Sequence, residues 1–282
     1  MSSTELTFSM PNRTIAALTN GQTDKPLLLM LHGWLDNAAS FSKLIPLLHD
    51  FHVIAIDLPG HGKSSHRSPD AHYHLSDYVH DLHCLVHAQG WRDFSIVGHS
   101  LGGIISSMYC AIFPELVTKF VCIESAGPLT ESETTSIEQL KKAIQSRIAA
   151  NEKQIKHPKD IASIVHARQK VSDLSAENAQ IILQRNTIYD AQTETLRWST
   201  DKRLRTVSSL RLTQAQAENL IQGIQCPIHF VLGSHGFSKV KALITKRQLL
   251  FKDAEVTTAE GGHHVHMEAD VAISQIILEH CR

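Results

Sequence analysis

The sequence predicts an α/β protein: a mostly parallel sheet with helices on both faces and one long helical insertion. Three observations predict it. Short, nearly unbroken apolar runs alternate with helical stretches, which is the pattern of a sheet buried on both faces. Ser100 stands between Gly98 and Gly102, directly after one such run and directly before a helical segment. The alternation then breaks between residues 127 and 225, a stretch far longer than a strand–helix–strand return needs.

The elements follow in order. TELTF and TIAAL open the chain as β-rich runs, and KPLLLMLHG and FHVIAIDLPG are apolar runs that end in Gly or Asp. A helical period covers about 76–89, with Val79, Leu82 and Val86 on its apolar face. DFSIVGHS leads into a helix at about 100–113, and KFVCIES closes the first half. After the insertion come PIHFVLG, AEVTTAE and a helix at about 268–280. Residues 1–126 and 226–282 are therefore assigned to one core domain, and 127–225 to a helical lid over the C-terminal edge of its sheet. Four segments inside the lid have helical spacing: EQLKKAIQSRIAA, DIASIVHARQKV, SAENAQIILQRN and TQAQAENLIQGI. Ser175 or Asp173 caps the third and Thr213 the fourth.

Composition removes several classes of function. The 27 Lys and Arg are cancelled by 28 Asp and Glu, a net charge of −1 over 282 residues, so no cationic excess exists to neutralise a phosphate backbone. Nucleic acid is not an expected partner. The run Leu27–Leu31 is far short of the ~20 apolar residues that cross a bilayer, and the N-terminus shows neither a basic nor an apolar leader segment. A cytoplasmic protein without a membrane span is expected. The five cysteines form no CxxC pair and read as reduced thiols. Neither a dinucleotide fingerprint nor a phosphate-binding loop is present, so no cofactor is called for. His80, His83 and His87 repeat at helical spacing without an acidic or cysteine partner, and a solvated helix edge explains them better than a metal. Trp198, Asp201 and Arg203 either line the pocket or pin the lid by an ion pair, and pinning is the expectation.

Chemistry concentrates at Ser100. A strand-to-helix turn with glycine two residues to either side lifts a serine hydroxyl clear of the sheet. Four motifs, LHGW at 31–34, DLPGHGKS at 57–64, GHSLGG at 98–103 and GGHHVHME at 261–268, occur in an order and spacing that resemble the α/β hydrolases. The lid segments LSAENAQIILQRN and RWSTDKRLR resemble the serine hydrolase-like subgroup. The resemblance implies an eight-stranded, mostly parallel sheet and hydrolysis through an acyl-enzyme.

A serine hydroxyl needs a base to take its proton. His263, His264 and His266 follow the last strand, and the family places its base first in that loop in a Gly-His context, which favours His263 over His264. The acid departs from the common pattern. Most of the family carries it after the seventh strand, where this chain has Gly236. A second arrangement in the superfamily puts it after the sixth, where Glu124 stands. The oxyanion requires two aimed N–H donors; Leu101, at the start of its helix, supplies one, and Trp34 resembles the other. The expected reaction is cleavage of an ester or thioester of a small to medium acyl group, with no metal or cofactor. C–C bond hydrolysis, lactonase or aminopeptidase activity run on the same three groups, and a non-catalytic ligand binder is the rival from another class, favoured if Glu124 points away from His263.

Overall fold

The computed structural model describes residues 3–282. Eight strands form one sheet in the order β1-β2-β4-β3-β5-β6-β9-β10: β1 (Thr4–Met10), β2 (Arg13–Thr19), β3 (Leu27–Leu31), β4 (His52–Ile56), β5 (Phe94–His99), β6 (Val117–Ile123), β9 (Ile228–Gly233) and β10 (Ala254–Ala259). β1 and β2 are antiparallel to their neighbours and every other pairing is parallel.

The apolar runs divide between two cores because strand side chains alternate. Leu29, Leu31, Phe94, Ile96, Phe120 and Cys122 face one layer, with α1 (Leu75–Gln89) and α2 (Leu101–Ile112). Leu28, Met30, Val97, Val121 and Ile123 face the other, with α9 (Asp270–Cys281) and the 3-10 turns after β3. Runs buried on both faces cannot show polar alternation, which is why they read as continuous. No helix among the described residues is long and apolar enough to cross a membrane.

Between β6 and β9 lie α3 (Ser136–Glu152), α4 (Ile161–Gln169), α5 (Ala176–Arg185), a hairpin of β7 (Thr187–Asp190) and β8 (Thr195–Trp198), and α6 (Gln214–Gln222). Ser175 caps α5 by accepting from the Asn178 N–H, and Thr213 caps α6 in a reciprocal capping box. The hairpin was not expected. Its strands are four residues long and partly exposed, too short to register as an apolar period. Helix α6 lies against α2, with Ile221 in the main core, whereas α4 and α5 build a separate small core with Met267.

The insertion is seated on the loops at the C-terminal ends of the strands. Asn186 donates to the Leu35 carbonyl, Asn178 to the Met267 carbonyl, and Asn37 returns a bond to the Ile182 carbonyl. Asp201 and Arg203 pair at 2.7 Å, and Arg203 also donates to the carbonyls of Arg67, Ser68 and Ala71. They pin the insertion; Trp198 instead donates to Lys156 within it. The deepest tie is Arg185, whose Nε reaches both oxygens of the fully buried Asp57 at 3.0 and 2.9 Å. Asp57 also accepts from the N–H groups of Ala38 and Lys63. Arg185→Met is expected to lower stability by about 3 kcal/mol, since a buried carboxylate loses its cation, which chemical denaturation measures directly.

Candidate active site

Ser100 occupies the turn between β5 and α2 with φ 50° and ψ −111°, a backbone that costs a residue with a Cβ about 1–3 kcal/mol. Its neighbours enforce that turn. A Cβ at Gly98 would lie 2.6 Å from the Gly102 carbonyl oxygen, and one at Gly102 would overlap the Leu31 carbonyl oxygen. Strand, turn and helix close only with glycine at both places. Ser100 makes no side-chain capping bond to α2. Its Oγ lies instead 3.1 Å from His263 Nε2.

Glu124 follows β6 in the left-handed region, φ 49°. Its Oε1 accepts from the Gly233 N–H at 2.8 Å, and its Oε2 accepts from the Phe237 N–H at 3.1 Å and lies 3.1 Å from His263 Nδ1. The carboxylate is thus fully occupied and aimed. It also accounts for Gly236: a Cβ there would overlap Glu124 Oε1. The acid after β6 fills the space that a side chain at position 236 would take, so the two acid positions exclude each other.

His263 is held from several directions. Its N–H donates to Asp173, its carbonyl accepts from His99 Nε2 at 2.9 Å, and the Phe237 ring stacks on its imidazole with centroids 4.0 Å apart. His264 points the other way. Its Nδ1 is 3.1 Å from Asp173 Oδ1 and its Nε2 3.2 Å from Asp36 Oδ2, while Asp36 Oδ1 accepts from Arg168 at 3.0 Å. Burial opposes the imidazolium of His264, but Asp36 and Asp173 outweigh it and hold its pKa up at about 9. Against its own burial, Asp36 is held well below the usual carboxylate range by His264, Arg168 and His99. Asp173, bonded to His264 and to the His263 N–H, is lowered to about 2. His266, on the short helix α8 (Val265–Glu268), is wholly buried, and burial beside the His264 charge pushes it down to about 3.

Trp34 sits in the loop after β3, half exposed, with its indole donating to the Leu204 carbonyl at 2.8 Å. The Gly102 N–H donates to the His32 carbonyl at 3.0 Å, which brings the first turn of α2 beside that loop. Among the described residues, neither the Trp34 nor the Leu101 backbone N–H donates to another backbone carbonyl outside its own element or to a side chain. A cavity of about 700 Å³ opens beside Ser100, walled by Ile104, Leu129, Val240 and Leu243.

Sequence reasoning missed Asp36, Arg168, Asp173, His99 and Phe237, which hold the loops around Ser100. Only His99, inside GHSLGG, carried a local signal. His83, one of the three regularly spaced histidines, stacks flat on Phe113 with centroids 3.8 Å apart and so belongs to a helix contact. The only three-residue grouping with metal-ligand donors close together, among the described residues, is His229, Glu255 and His280, within 4.8 Å of one another. It lies at the N-terminal ends of β9 and β10 and the end of α9, at the sheet edge opposite Ser100.

A family model described as the alpha/beta hydrolase fold matches residues 26–270. The chain belongs to the α/β hydrolases. Serine hydrolase-like protein 2 of Homo sapiens is 32% identical over 97% of this chain and 92% of its own length. A serine hydrolase-like protein of Danio rerio is 29% identical over 89% and 80%. The crystal structure of the selenomethionine-substituted hypothetical protein PA1622 from Pseudomonas aeruginosa PAO1 superposes with a TM-score of 0.90 at 32% identity, covering 98% of both chains. The thioesterase domain from the curacin biosynthetic pathway shares the fold, with a TM-score of 0.84 at 23% identity. This α/β hydrolase therefore stands with the serine hydrolase-like proteins, and its fold is that of proteins carrying hydrolytic names.

Proposed function

We propose that the protein hydrolyses carboxylic esters or thioesters of small to medium acyl groups through a Ser100–His263–Glu124 triad. The observation that carries this reading is the unbroken series of 3.1 Å contacts from Ser100 Oγ through His263 to Glu124, opening onto the cavity. Ser100 Oγ attacks the acyl carbon as His263 Nε2 takes its proton, and the same proton passes to the departing alkoxide or thiolate. Charge developing on the carbonyl oxygen is met by the N–H groups of Leu101 and Trp34. Water then attacks the acyl-enzyme, giving a proton to His263, and the acid leaves as Ser100 is reprotonated. Glu124 keeps the imidazole in the tautomer this sequence needs. The segment 127–225 acts as a lid on the core of 1–126 and 226–282, with α6 the part packed most closely on that core.

A fluorophosphonate probe and p-nitrophenyl esters of increasing acyl length test the reading. Wild-type protein is expected to label and to turn over esters with a chain-length optimum, and Ser100→Ala to do neither. A wild type that neither labels nor hydrolyses any ester leaves a ligand-binding protein in its place.

A further inference from the structure

One wall of the cavity that Ser100 borders is helix α7 (Ser238–Arg247). Its inner face presents Val240 and Leu243 between Lys239 and Lys246. The two lysines are seven residues apart, two turns of one helix face and about 10 Å along its axis. Lys239 sits at the end that follows Phe237, whose ring covers His263, and Lys246 lies at the far end. Neither lysine has an ion-pair partner among the described residues, although the chain as a whole is balanced in charge. Arg211 lines the same cavity from the segment before α6, held by Glu131 at 3.4 Å on an exposed surface. The one carboxylate in the lining is Glu124, and both its oxygens are already engaged.

Apolar walls that end in unpaired cations suit a particular shape of substrate. A purely aliphatic acyl group would fill the apolar stripe and leave the two exposed ammonium groups to solvent. A ligand with a negative group several bonds from its scissile carbonyl satisfies both. Resting on the hydrolase reading above, we infer that the substrates are acyl esters or thioesters bearing a distal anionic group, a carboxylate or a phosphate, which Lys239 and Lys246 receive with Arg211 at the rim. The lysines do not touch the reacting atoms; they select.

Matched ligands test this directly. Turnover is compared between p-nitrophenyl pentanoate and the p-nitrophenyl monoester of glutaric acid, which differ by a terminal carboxylate. Binding to Ser100→Ala, which cannot consume them, is measured by calorimetry for the same pair, and for butyryl-coenzyme A against the phosphate-free butyryl N-acetylcysteamine thioester. The anionic member of a pair is expected to win by about tenfold at low ionic strength, since two partly exposed ion pairs each contribute a few-fold. The ratio is expected to fall toward one in Lys239→Gln/Lys246→Gln and with added salt. A preference seen only in the glutarate pair assigns a carboxylate, and one seen only in the coenzyme A pair a phosphate. Equal affinities within both pairs, or a preference that survives the double substitution and Arg211→Gln, overturns the inference. Absence of turnover beside a retained anionic preference in Ser100→Ala sinks the hydrolase reading and keeps the anion site.

Discussion

On the proposed triad, Glu124→Gln is expected to lower kcat by about 10⁴-fold, the scale on which a serine hydrolase suffers when its histidine loses the acid that fixes its tautomer. The geometry says why an amide cannot stand in. Glu124 accepts from the Gly233 N–H on one oxygen and from the Phe237 N–H on the other, the one that also faces His263. A glutamine offers one accepting oxygen, so its NH₂ group must meet a donor on one side. If it faces His263, the ring turns to the tautomer whose Nε2 carries a proton and accepts none from Ser100. If it faces Gly233, a buried N–H is left unpaired at about 1–3 kcal/mol. Gly236 allows a sharper experiment, because a Cβ at that position overlaps Glu124 Oε1. Gly236→Asp alone is expected to destabilise the protein, whereas Glu124→Gly/Gly236→Asp is expected to regain part of the activity that Glu124→Gly loses. Glycine at 124 is compatible with its positive φ. Should the double substitution be no more active than Glu124→Gly, the view that the two acid positions are alternatives for one space is wrong.

The parts of the fold that sequence carries well are those set by neighbours in the chain. The strand runs, α1, α2 and the helices α3 to α6 depend on local period and caps, and the glycines around Ser100 act across two residues. The position of Glu124 at the same sheet edge as Ser100 was legible for a related reason: β5 and β6 are adjacent parallel strands, and residues just past their ends meet at one edge. The hairpin β7–β8 escaped because a four-residue, half-exposed strand has no apolar run to betray it. The loop favours His263 over His264 only through its Gly-His context, while the physical reason for their different orientations lies elsewhere in the chain. It rests on Asp36 and Asp173, which arrive from the loop after β3 and from the insertion and draw His264 away from Ser100. Charge pairs of that kind leave no periodic trace.

That cluster yields the second large effect. Asp36→Ala is expected to lower stability at pH 7 by about 3 kcal/mol, because a partly exposed guanidinium and a buried imidazolium each lose a partner, and to lower Tm by about 6–12 °C. It is also expected to flatten the pH dependence. His264 has a folded pKa of about 9 against about 6.5 when unfolded. Its favourable contribution is therefore complete below pH 6.5 and is lost as pH rises through 9, about 3 kcal/mol in all. Asp173 and Asp36 behave oppositely, since their depressed pKa values contribute above the unfolded carboxylate range and are lost as pH falls toward and below it. Wild-type stability should thus be greatest between about pH 4.5 and 6.5 as far as this cluster decides it, and decline toward pH 9. In Asp36→Ala only the half-exposed Asp173 remains beside His264, so the decline above pH 6.5 should shrink. Denaturation of both proteins at pH 6, 7.5 and 9 reads the difference; parallel curves would mean that His264 carries no proton in the folded protein, and that Asp36 holds the loops by hydrogen bonding to a neutral ring.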